Sequence, residues 1–514
     1  MPDSKILKAG PIQSTVDLRT MIRGHIIEGT CALLEQGKTR RCQAFESGDW
    51  RSWRDHLRKK VTEPMGEMLF GEDGPPLNVR LISKQVLPQC DIENVLFESL
   101  PGWDVNASVF LPKKDTCPPP WHAIVVPVGH SSKTRENYQI PAQVFAKLGY
   151  VAIIFDPPGM AGEKQGGNDH FDDGVRCYLT GQTSNRYFVI DALRCIDYLA
   201  SRPDIDLSNG VGMTGVSGGG TTTMHAALID ERIRAAGPAC CAAPSALHPV
   251  RDCYAPCTEA LAPKRFANGI DNVDLLIAAL PTPLLFICGE KDEVFKIEWS
   301  RQIADDVRFA YQKAGFGEHF RFYADPSGHA YTVEMALHFT RWMDRWISNQ
   351  PGRVLSELSK NDFEMLPPEH LYCYPNLEGN IFTMNKALAE SLRGKRNPQN
   401  LRNAAIELVN LKLPVNAPRA KAGAPTQIWV HHLQELLLQP EPGIELPATF
   451  MYPIEQAEKR GAVLFFDERG RWTALRKNGL LAEAVNFIKR DHVRGSVLTV
   501  DLRGWGDTKP ADMP

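Results

Sequence analysis

One serine stands in a sequence context that favours nucleophilic chemistry. Ser217 lies between Gly215 and Gly219, so a glycine occurs two residues before it and two residues after it. This spacing is typical of a sharp turn from a strand into a helix, because larger side chains would collide with the backbone there. Such a turn lifts the serine hydroxyl above the sheet and leaves the Gly218 N–H where a developing oxyanion would lie. We therefore predict that Ser217 is a nucleophile and that Gly218 contributes to an oxyanion hole.

Two further residues are expected to activate this serine, because a hydroxyl is a poor nucleophile without a base and a group that orients the base. Asp292 follows the predicted strand Pro283–Cys288, and His329 follows the predicted strand His319–Ala324. The order serine, acid, histidine, with each residue just beyond a strand, predicts a catalytic triad of Ser217, Asp292 and His329.

The acid and the glycine-rich segment each leave an alternative. Glu290 and Glu293 compete with Asp292, which we prefer because it lies deeper in the predicted turn. The segment Gly210–Gly215 also matches a dinucleotide-binding pattern, but its first two glycines lie at or within the strand rather than in the turn after it. We therefore expect no dinucleotide site in this segment.

A second oxyanion donor is expected from the loop after the predicted strand Ala123–Pro127. Gly129 permits a sharp bend in this loop, and the N–H of His130 or of Ser131 is expected to point at the substrate oxygen. An ordinary turn is the alternative interpretation. The candidate substrate-pocket residues are Gly129, Tyr138 and Glu163, although Tyr138 equally fits the role of a core aromatic residue.

Apolar segments that alternate with helical segments must position these residues. The predicted strands are Ala123–Pro127, Val151–Asp156, Val211–Thr214, Ile233–Ala239, Pro283–Cys288 and His319–Ala324, and the predicted helices include Asp17–Leu34, Trp50–Lys60 and residues 139–148, 184–200 and 221–229. A pair of antiparallel strands within residues 95–112 precedes this alternation. The pattern is typical of a mostly parallel sheet covered by helices on both faces.

The composition excludes several classes of function. With 43% hydrophobic and 23% charged residues over 514 positions, the chain is typical of a globular protein. A net charge of -3 gives no electrostatic reason to bind nucleic acid or a membrane surface. The N-terminus lacks the apolar core of a secretory signal and no segment is apolar over a length that could cross a bilayer, so we expect a cytoplasmic protein.

The twelve cysteines do not indicate a disulfide scaffold in a chain of this length. The densest group is Cys240, Cys241, Cys253 and Cys257, whose spacing matches no common zinc module. We expect buried free thiols there, and a disulfide is the alternative.

Six short segments carry a resemblance to a known family. They are Gly129-His130-Ser131, Asp156–Glu163, Asp197–Asp206, Gly215–Thr221, Cys288–Asp292 and Gly328-His329. Together they resemble the acetyl xylan esterase-like branch of the α/β-hydrolase superfamily, over about residues 80–350. The resemblance implies hydrolysis of small acyl esters, often acetyl groups on sugars, through an acyl-enzyme without metal or organic cofactor. It also implies that Ser217 attacks, His329 transfers the proton and Asp292 holds the imidazole.

The order of predicted elements and an internal echo also suggest a domain organisation, in which the C-terminal unit is not part of the simple family architecture. We expect a mainly helical extension over 1–90, a catalytic α/β-hydrolase unit over 91–350, a helical connector over 351–425 and a second unit over 426–514. In the second unit, Pro442–Phe450 echoes Pro101–Val109, Gly461–Phe466 echoes the strand at Ala123, and Gly495–Gly504 echoes Gly149–Gly159. No nucleophile segment follows Asp501, so we expect a partial and inactive hydrolase-like unit, such as the front of a truncated chain. Unrelated stretches of strand and helix also resemble one another, and this is the alternative.

Two alternatives to an esterase remain open from the sequence. A prolyl-oligopeptidase-type peptidase shares the triad order but normally needs a large upstream propeller, and only about a hundred residues precede the predicted sheet. A non-catalytic binding protein with a hydrolase fold is disfavoured because all three triad positions are filled. The expected partner is a small-molecule or carbohydrate ester, and the sequence allows a monomer or an oligomer.

Overall fold

Two sheets organise the chain, one in each of two units. The computed structural model describes residues 12–164, 169–247, 257–376, 379–411, 417–428, 431–454, 462–474 and 496–510. The larger unit comprises Thr30–Arg396, and the smaller one comprises Met1–Gly29 together with Asn397–Pro514. Residues 351–396, which were expected to form part of a connector, therefore belong to the larger unit.

A nine-stranded sheet forms the centre of the larger unit. Its strands are β1 Arg80–Val86, β2 Cys90–Leu100, β3 Trp103–Pro112, β4 Ala123–Pro127, β5 Val151–Phe155, β6 Val211–Val216, β7 Ile233–Ala239, β8 Leu284–Gly289 and β9 Phe320–Asp325. In the order β1-β2-β3-β5-β4-β6-β7-β8-β9, pairing is antiparallel from β1 to β5 and parallel from β5 to β9. The predicted mostly parallel sheet is confirmed.

At least one helix follows each strand from β4 to β9, and the α-helices of the described residues also include two before β1 and three after the helix that follows β9. They are α1 Met21–Ser47, α2 Trp50–Thr62, α3 Glu136–Lys147, α4 Asp172–Tyr178, α5 Asn185–Ala200, α6 Gly218–Ile229, α7 Asn272–Ala278, α8 Ile297–Lys313, α9 Val333–Trp346, α10 Ile381–Gly394, α11 Leu401–Leu408 and α12 Arg471–Ala474. Within the part of the chain that the structure describes, none of the helices combines the length and the apolar character that a membrane span requires.

Both faces of the central strands are buried. Successive residues of a strand point to opposite faces, and Ile153 and Ile154 of β5 accordingly belong to two different apolar clusters. The cluster that contains Ile153 includes residues of α5 and α6, whereas the cluster that contains Ile154 includes residues of α3 and α9. Each buried isoleucine contributes roughly 1.5–3 kcal/mol relative to an exposed one. This packing holds the carboxyl ends of the parallel strands, and the loops that follow them, in fixed positions.

Two differences from the prediction lie within the first 90 residues. β1 has no predicted counterpart, because its apolar residues do not alternate between a buried and an exposed face: Leu81 is 53% exposed and Val86 is 78% exposed. Helix α1 continues to Ser47 instead of ending near Leu34. The residues after Leu34 are mostly polar, so the apolar periodicity fades while the helix itself continues.

The smaller unit contains the second sheet. Its strands are β10 Arg419–Ala422, β11 Thr426–Ile428, β12 His431–Glu441, β13 Ile444–Pro453, β14 Ala462–Phe465 and β15 Ser496–Val500. The order is β10-β12-β13-β15-β14, and β11 pairs with β12.

The strand order of the second sheet repeats part of the first. The run β12-β13-β15-β14 has the same relative directions as β2-β3-β5-β4, with two antiparallel pairings followed by a parallel one. Ala107 of β3 pairs with Phe155 of β5, and Ala448 of β13 pairs with Val500 of β15. These are the positions that the sequence echo aligns.

Candidate active site

Ser217 occupies a strained turn between β6 and α6. Its φ of 60° and ψ of -122° lie where residues other than glycine are rarely found, and such strain is retained mainly at functional sites. The neighbouring glycines are required by packing. A Cβ atom on Gly215 would lie 2.5 Å from the Pro127 carbonyl oxygen, and one on Gly219 would lie closer still to the same atom. The backbone therefore demands the residue types that mark this motif in the sequence.

Asp292 and His329 form a hydrogen-bonded pair. Nδ1 of His329 lies 2.9 Å from Oδ2 of Asp292, and the Asp292 side chain is completely buried. The other carboxylate oxygen accepts the N–H groups of Val294 and Phe295 at 2.8 and 2.9 Å. Burial alone would raise the pKa of Asp292, but the hydrogen bonds from His329 and the two N–H groups outweigh burial and hold this pKa below its ordinary value of 3.8. Asp292 is therefore ionised at neutral pH and accepts the Nδ1–H of His329.

The competing acids lie outside this arrangement. Glu290 and Glu293 are not buried, and the Glu290 carboxylate pairs with Arg301 at 3.6 Å. Of the three candidates, Asp292 is the one that contacts the His329 ring.

The turn and the acid–histidine pair meet at one edge of the sheet. Ser217, Asp292 and His329 follow β6, β8 and β9, whose parallel directions bring their carboxyl ends together. The Ser217 N–H donates to the Ala239 carbonyl at 2.9 Å. The next residue, Cys240, has its sulfur within 4.8 Å of ligand atoms of both Asp292 and His329. The end of β7 thus connects the serine turn to the acid–histidine pair.

The predicted oxyanion loop packs against the serine turn. A Cβ on Gly129 would lie 3.1 Å from the Gly218 nitrogen, so the loop approaches the turn as closely as a glycine permits. Within the loop, the Gly129 N–H donates to the Tyr138 hydroxyl at 2.8 Å, and the Ser131 N–H donates to the Gly129 carbonyl at 2.7 Å. The N–H groups of Gly129 and Ser131 thus donate to atoms of the loop and of Tyr138. The N–H of His130, which lies between them, is therefore the candidate oxyanion donor.

The other predicted pocket residues make contacts inside the fold. Tyr138 is 3% exposed, and burial raises the pKa of its hydroxyl. The carboxylate of Glu163 accepts the N–H groups of Cys373 and Tyr374 at 2.6 to 2.9 Å and the Nδ2–H of Asn106 at 3.1 Å. The assignment of Tyr138 and Glu163 to a substrate pocket therefore stays a prediction, while their contacts show that they support the scaffold.

A buried carboxylate fixes the far end of the same loop. Asp156, directly after β5, is 0% exposed and accepts the N–H of Lys133 at 2.6 Å. It also accepts the Nδ2–H of Asn106 at 2.8 Å and the N–H of Glu163 at 3.2 Å. Asp156 thus ties the loop after β4 to the loop after β5. In the sequence this residue stands out only as part of a family motif, without a role of its own.

Two groups of side chains of the types that can ligate a metal ion lie at this edge of the sheet. The first is Cys240, Asp292 and His329, and the second is His130, His170, Cys257 and Glu259. The first coincides with the acid–histidine pair. Cys240, Cys241 and Cys257 are free cysteines, and Cys253 lies outside the described residues.

Glu259 and His170 are neighbours of the oxyanion loop that sequence reasoning missed. Oε1 of Glu259 lies 2.6 Å from Nε2 of His130, although the two residues are 129 positions apart. Burial raises the pKa of Glu259, but the adjacent imidazoles of His130 and His170 outweigh burial and lower this pKa to about 2. No local spacing in the sequence signals a contact between segments so distant from each other.

Comparisons with known proteins agree with this architecture. No protein-family model matches the chain. A Bacillus subtilis (strain 168) protein named "Putative hydrolase YtaP" is 23% identical over 315 residues, which cover 57% of this chain and 100% of that protein. The solved structure of "Methylesterase BT1017" has a TM-score of 0.52 and 20% identity, covering 71% of this chain and 81% of that one.

A further solved structure is titled a "putative acetyl xylan esterase" from Bacteroides fragilis. It has a TM-score of 0.44 and 19% identity, covering 57% of this chain and 87% of that one. At these identities, the likeness to the methylesterase bears on the fold alone. Together with the sheet order and the turn at Ser217, it shows that the chain has the α/β-hydrolase fold, as the sequence resemblance predicts.

Proposed function

We propose that this protein is a serine esterase that hydrolyses carboxylic esters through an acyl-enzyme on Ser217. The observation that carries the proposal is the pairing of the buried Asp292 with the partly exposed His329, at the same sheet edge as the strained Ser217 turn. An ionised acid, an imidazole oriented by it and a serine on a sharp turn are the parts that this chemistry requires.

In the first half-reaction, the Ser217 hydroxyl attacks the ester carbonyl and His329 accepts its proton. Because Nδ1 of His329 donates to Asp292, Nε2 is the nitrogen that receives this proton. The ionised Asp292 stabilises the imidazolium that forms. His329 then protonates the departing alcohol, and the acyl group stays on Ser217.

In the second half-reaction, water attacks the acyl-enzyme while His329 again accepts a proton. The carboxylic acid leaves, and His329 returns the proton to Ser217. In both half-reactions, we assign stabilisation of the oxyanion to the N–H groups of Gly218 and His130, because the Ser131 N–H is already bonded to Gly129. Each such donor contributes about 10²–10³-fold to turnover in serine hydrolases.

We propose short acyl esters of small alcohols or carbohydrates as the substrates. The sequence resemblance to acetyl xylan esterase-like enzymes supports acetyl esters. The similar structure is titled a methylesterase, so methyl esters form the second class to test. In an acetylated sugar the sugar is the leaving alcohol, whereas in a methyl-esterified sugar acid it carries the acyl group. Hydrolysis rates on a panel of both kinds of compound distinguish these two classes.

The experiment that tests the esterase proposal is hydrolysis of p-nitrophenyl acetate by wild-type protein and by Ser217→Ala. The substitution removes the nucleophile, so we expect turnover to fall by about 10⁴–10⁶-fold while the fold is kept. Ser201→Ala is a matched control, because its hydroxyl bonds the Tyr198 carbonyl at the end of α5. Near wild-type turnover by Ser217→Ala would refute the assignment. Faster cleavage of aminoacyl-arylamides than of esters would indicate a peptidase, and inactivity on both would indicate a binding protein.

We propose separately that the second sheet corresponds to the front half of a hydrolase-like unit. The strand register that it shares with the first sheet supports this proposal. So does the residue that follows β15: Asp501 is fully buried, like Asp156 after β5. Asp501 accepts the N–H of Arg471 at 2.5 Å, just as Asp156 accepts the N–H of Lys133 at 2.6 Å. The G-x-S-x-G spacing occurs once in the sequence, at 215–219, so this unit brings no such serine.

A further inference from the structure

Four side chains that commonly ligate transition metals converge beside the oxyanion loop. His130, His170, Cys257 and Glu259 each offer one ligand atom, and these atoms all lie within 4.8 Å of one another. The four residues come from three separate segments of the larger unit: the loop after β4, the loop before α4, and the short turn at 257–260. The proposed esterase chemistry uses none of these side chains.

The Glu259 carboxylate lies between two imidazoles. Oε1 is 2.6 Å from Nε2 of His130, and Oε2 is 3.0 Å from Nε2 of His170. The Cys257 sulfur lies 3.4 Å from Nδ1 of His130, so this ring has one nitrogen towards the thiol and one towards the carboxylate. The group therefore brings two imidazoles, one sulfur and one carboxylate into a small volume.

The contact between Oε2 of Glu259 and Nε2 of His170 is not a hydrogen bond. His170 is 3% exposed and Glu259 is 2% exposed, yet neither ring nitrogen of His170 nor Oε2 of Glu259 has a hydrogen-bond partner within the part of the chain that the structure describes. A buried polar group without a hydrogen-bond partner destabilises the fold, so such groups are rare unless another ligand satisfies them. Nε2 of His170 and Oε2 of Glu259 thus lie 3.0 Å apart, buried, without a hydrogen aligned between them.

Two side chains that bind the same metal ion also place a nitrogen and an oxygen close together without a hydrogen bond between them. Nitrogen and oxygen ligands lie about 2.0–2.2 Å from zinc, so at the tetrahedral angle two of them are about 3.3 Å apart, pointing at the ion rather than at each other. The observed 3.0 Å between His170 and Glu259 is close to this separation.

We propose that His130, His170, Cys257 and Glu259 bind one divalent transition-metal ion of the zinc type. Imidazole, thiolate and carboxylate are the ligands that zinc takes, whereas calcium and magnesium require mostly oxygen ligands. Binding forms a metal–sulfur bond and releases the Cys257 thiol proton to solvent. The negative charges of Cys257 and Glu259 then balance the charge of the ion. The sequence-based expectation of no metal rests on the absence of a common zinc module, and this ligand set lies outside those modules.

The position of His130 connects the site to the oxyanion loop. A Cβ on Gly218 would lie 3.1 Å from Nε2 of His130, so the ring packs directly against the turn that carries Ser217. A bound ion would hold the His130 loop to the turn at Cys257 and Glu259. The ion is thus a positioning element for the loop, and its binding is measurable whether or not the protein is an esterase.

The test is metal binding by the full chain, with the metal ion alone as the probe. Purified protein is dialysed against a chelator and titrated with ZnCl₂ by calorimetry, and a parallel sample receives CoCl₂. We expect one ion per chain, together with the absorption bands of tetrahedral cobalt and a thiolate-to-cobalt charge-transfer band. Cys257→Ser should remove the charge-transfer band. His170→Gln and Glu259→Gln should each weaken zinc binding by at least about 100-fold, since loss of a ligand exceeds the 10–100-fold effect of changes around the ligands.

Cys42→Ser is the matched control, because Cys42 is also a partly exposed free cysteine and lies outside the group. It should leave the affinity and the cobalt spectrum unchanged. If the ligand variants fail to fold, alkylation of the cysteines in the wild-type protein tests the proposal instead. Bound zinc should protect Cys257 from alkylation and leave Cys42 reactive. Less than one zinc ion per chain, a cobalt spectrum without a sulfur band, or equal alkylation of Cys257 with and without zinc would each overturn the proposal.

Discussion

At the scale of single residues, close packing explains why a short motif in the sequence identifies the central turn. Gly215 and Gly219 are fixed by the approach of the Pro127 carbonyl, and Ser217 takes up the positive φ of the turn. Packing of this kind restricts residue types at fixed spacing, so it is visible in the sequence. The pairing of His130 with Glu259 depends on a meeting of remote segments, which leaves no such local pattern.

Gly129→Ala tests whether the loop after β4 carries an oxyanion donor. The added Cβ would lie 2.7 Å from the Val216 carbonyl oxygen, so the loop must move away from Gly218. We expect kcat on p-nitrophenyl acetate to fall by about 10²–10³-fold, the effect of one lost donor. Gly352→Ala is the control, because a Cβ on Gly352 would have no other atom within 4 Å. Unchanged kcat in Gly129→Ala would place the donor elsewhere.

Asp292→Asn tests the choice of acid. An amide cannot hold His329 in the tautomer that leaves Nε2 free to accept a proton, so we expect kcat to fall by about 10⁴-fold with little change in thermal stability. Asp305→Asn is the matched control, because its side chain is 75% exposed on α8. If Asp292→Asn keeps its activity and Glu293→Gln loses it, the acid is Glu293.

At the scale of elements, the sequence predicts buried strands well and exposed ones poorly. β4 is predicted with its observed limits, because all five of its residues are buried and apolar. β1 is not predicted, since exposed edge residues carry no burial pattern that sequence periodicity could show. The later part of α1 does have a buried face, but Gly37 and Arg41 form part of that face, so apolar periodicity does not reveal it. Sequence periodicity thus predicts an element when apolar residues form its buried face. An exposed edge strand forms by pairing with its neighbour, and this pairing leaves no periodic pattern.

Glu445 on β13 is expected to make the stability of the smaller unit depend on pH. Its carboxylate accepts hydrogen bonds from Ser14 and Thr15 at 2.6 to 2.9 Å. Burial raises its pKa, but these hydrogen bonds outweigh burial and lower the pKa to about 2. Because the folded pKa is depressed, the stabilisation is complete above the ordinary value of 4.5 and is lost as the pH falls from there towards about 2.

Glu445→Gln should therefore increase hydrogen exchange in β13 peptides at pH 7, by the equivalent of about 1–3 kcal/mol for charge-assisted hydrogen bonds. Glu407→Gln is the control, because Glu407 is exposed on α11 in the same unit. After correction for intrinsic exchange rates, the difference between Glu445→Gln and wild type should shrink at pH 3. A difference of the same size at both pH values would contradict the role of the Glu445 charge.

At the scale of the whole molecule, the described residues form two sheets that share part of their strand order, and the larger sheet carries the serine turn. The sequence echo predicts which strands correspond, and the paired positions of β3 with β5 and of β13 with β15 agree with that alignment. The sequence could not predict the limits of the two units. These depend on contacts such as those that place residues 351–396 in the larger unit, and such contacts leave no periodic pattern.

Labelling with a fluorophosphonate tests the proposed division of roles between the two units. The reagent reacts with serines that an adjacent base activates, so we expect one adduct per chain, on Ser217. Ser217→Ala should abolish the adduct, and Ser201→Ala should keep it. In the smaller unit, Arg471 occupies the loop position equivalent to Lys133, and its N–H donates to Asp501. Residues 426–514 contain no G-x-S-x-G spacing. Peptides from 426–514 should therefore stay unlabelled. An adduct on any residue of that segment would show that the second unit has a reactive nucleophile of its own.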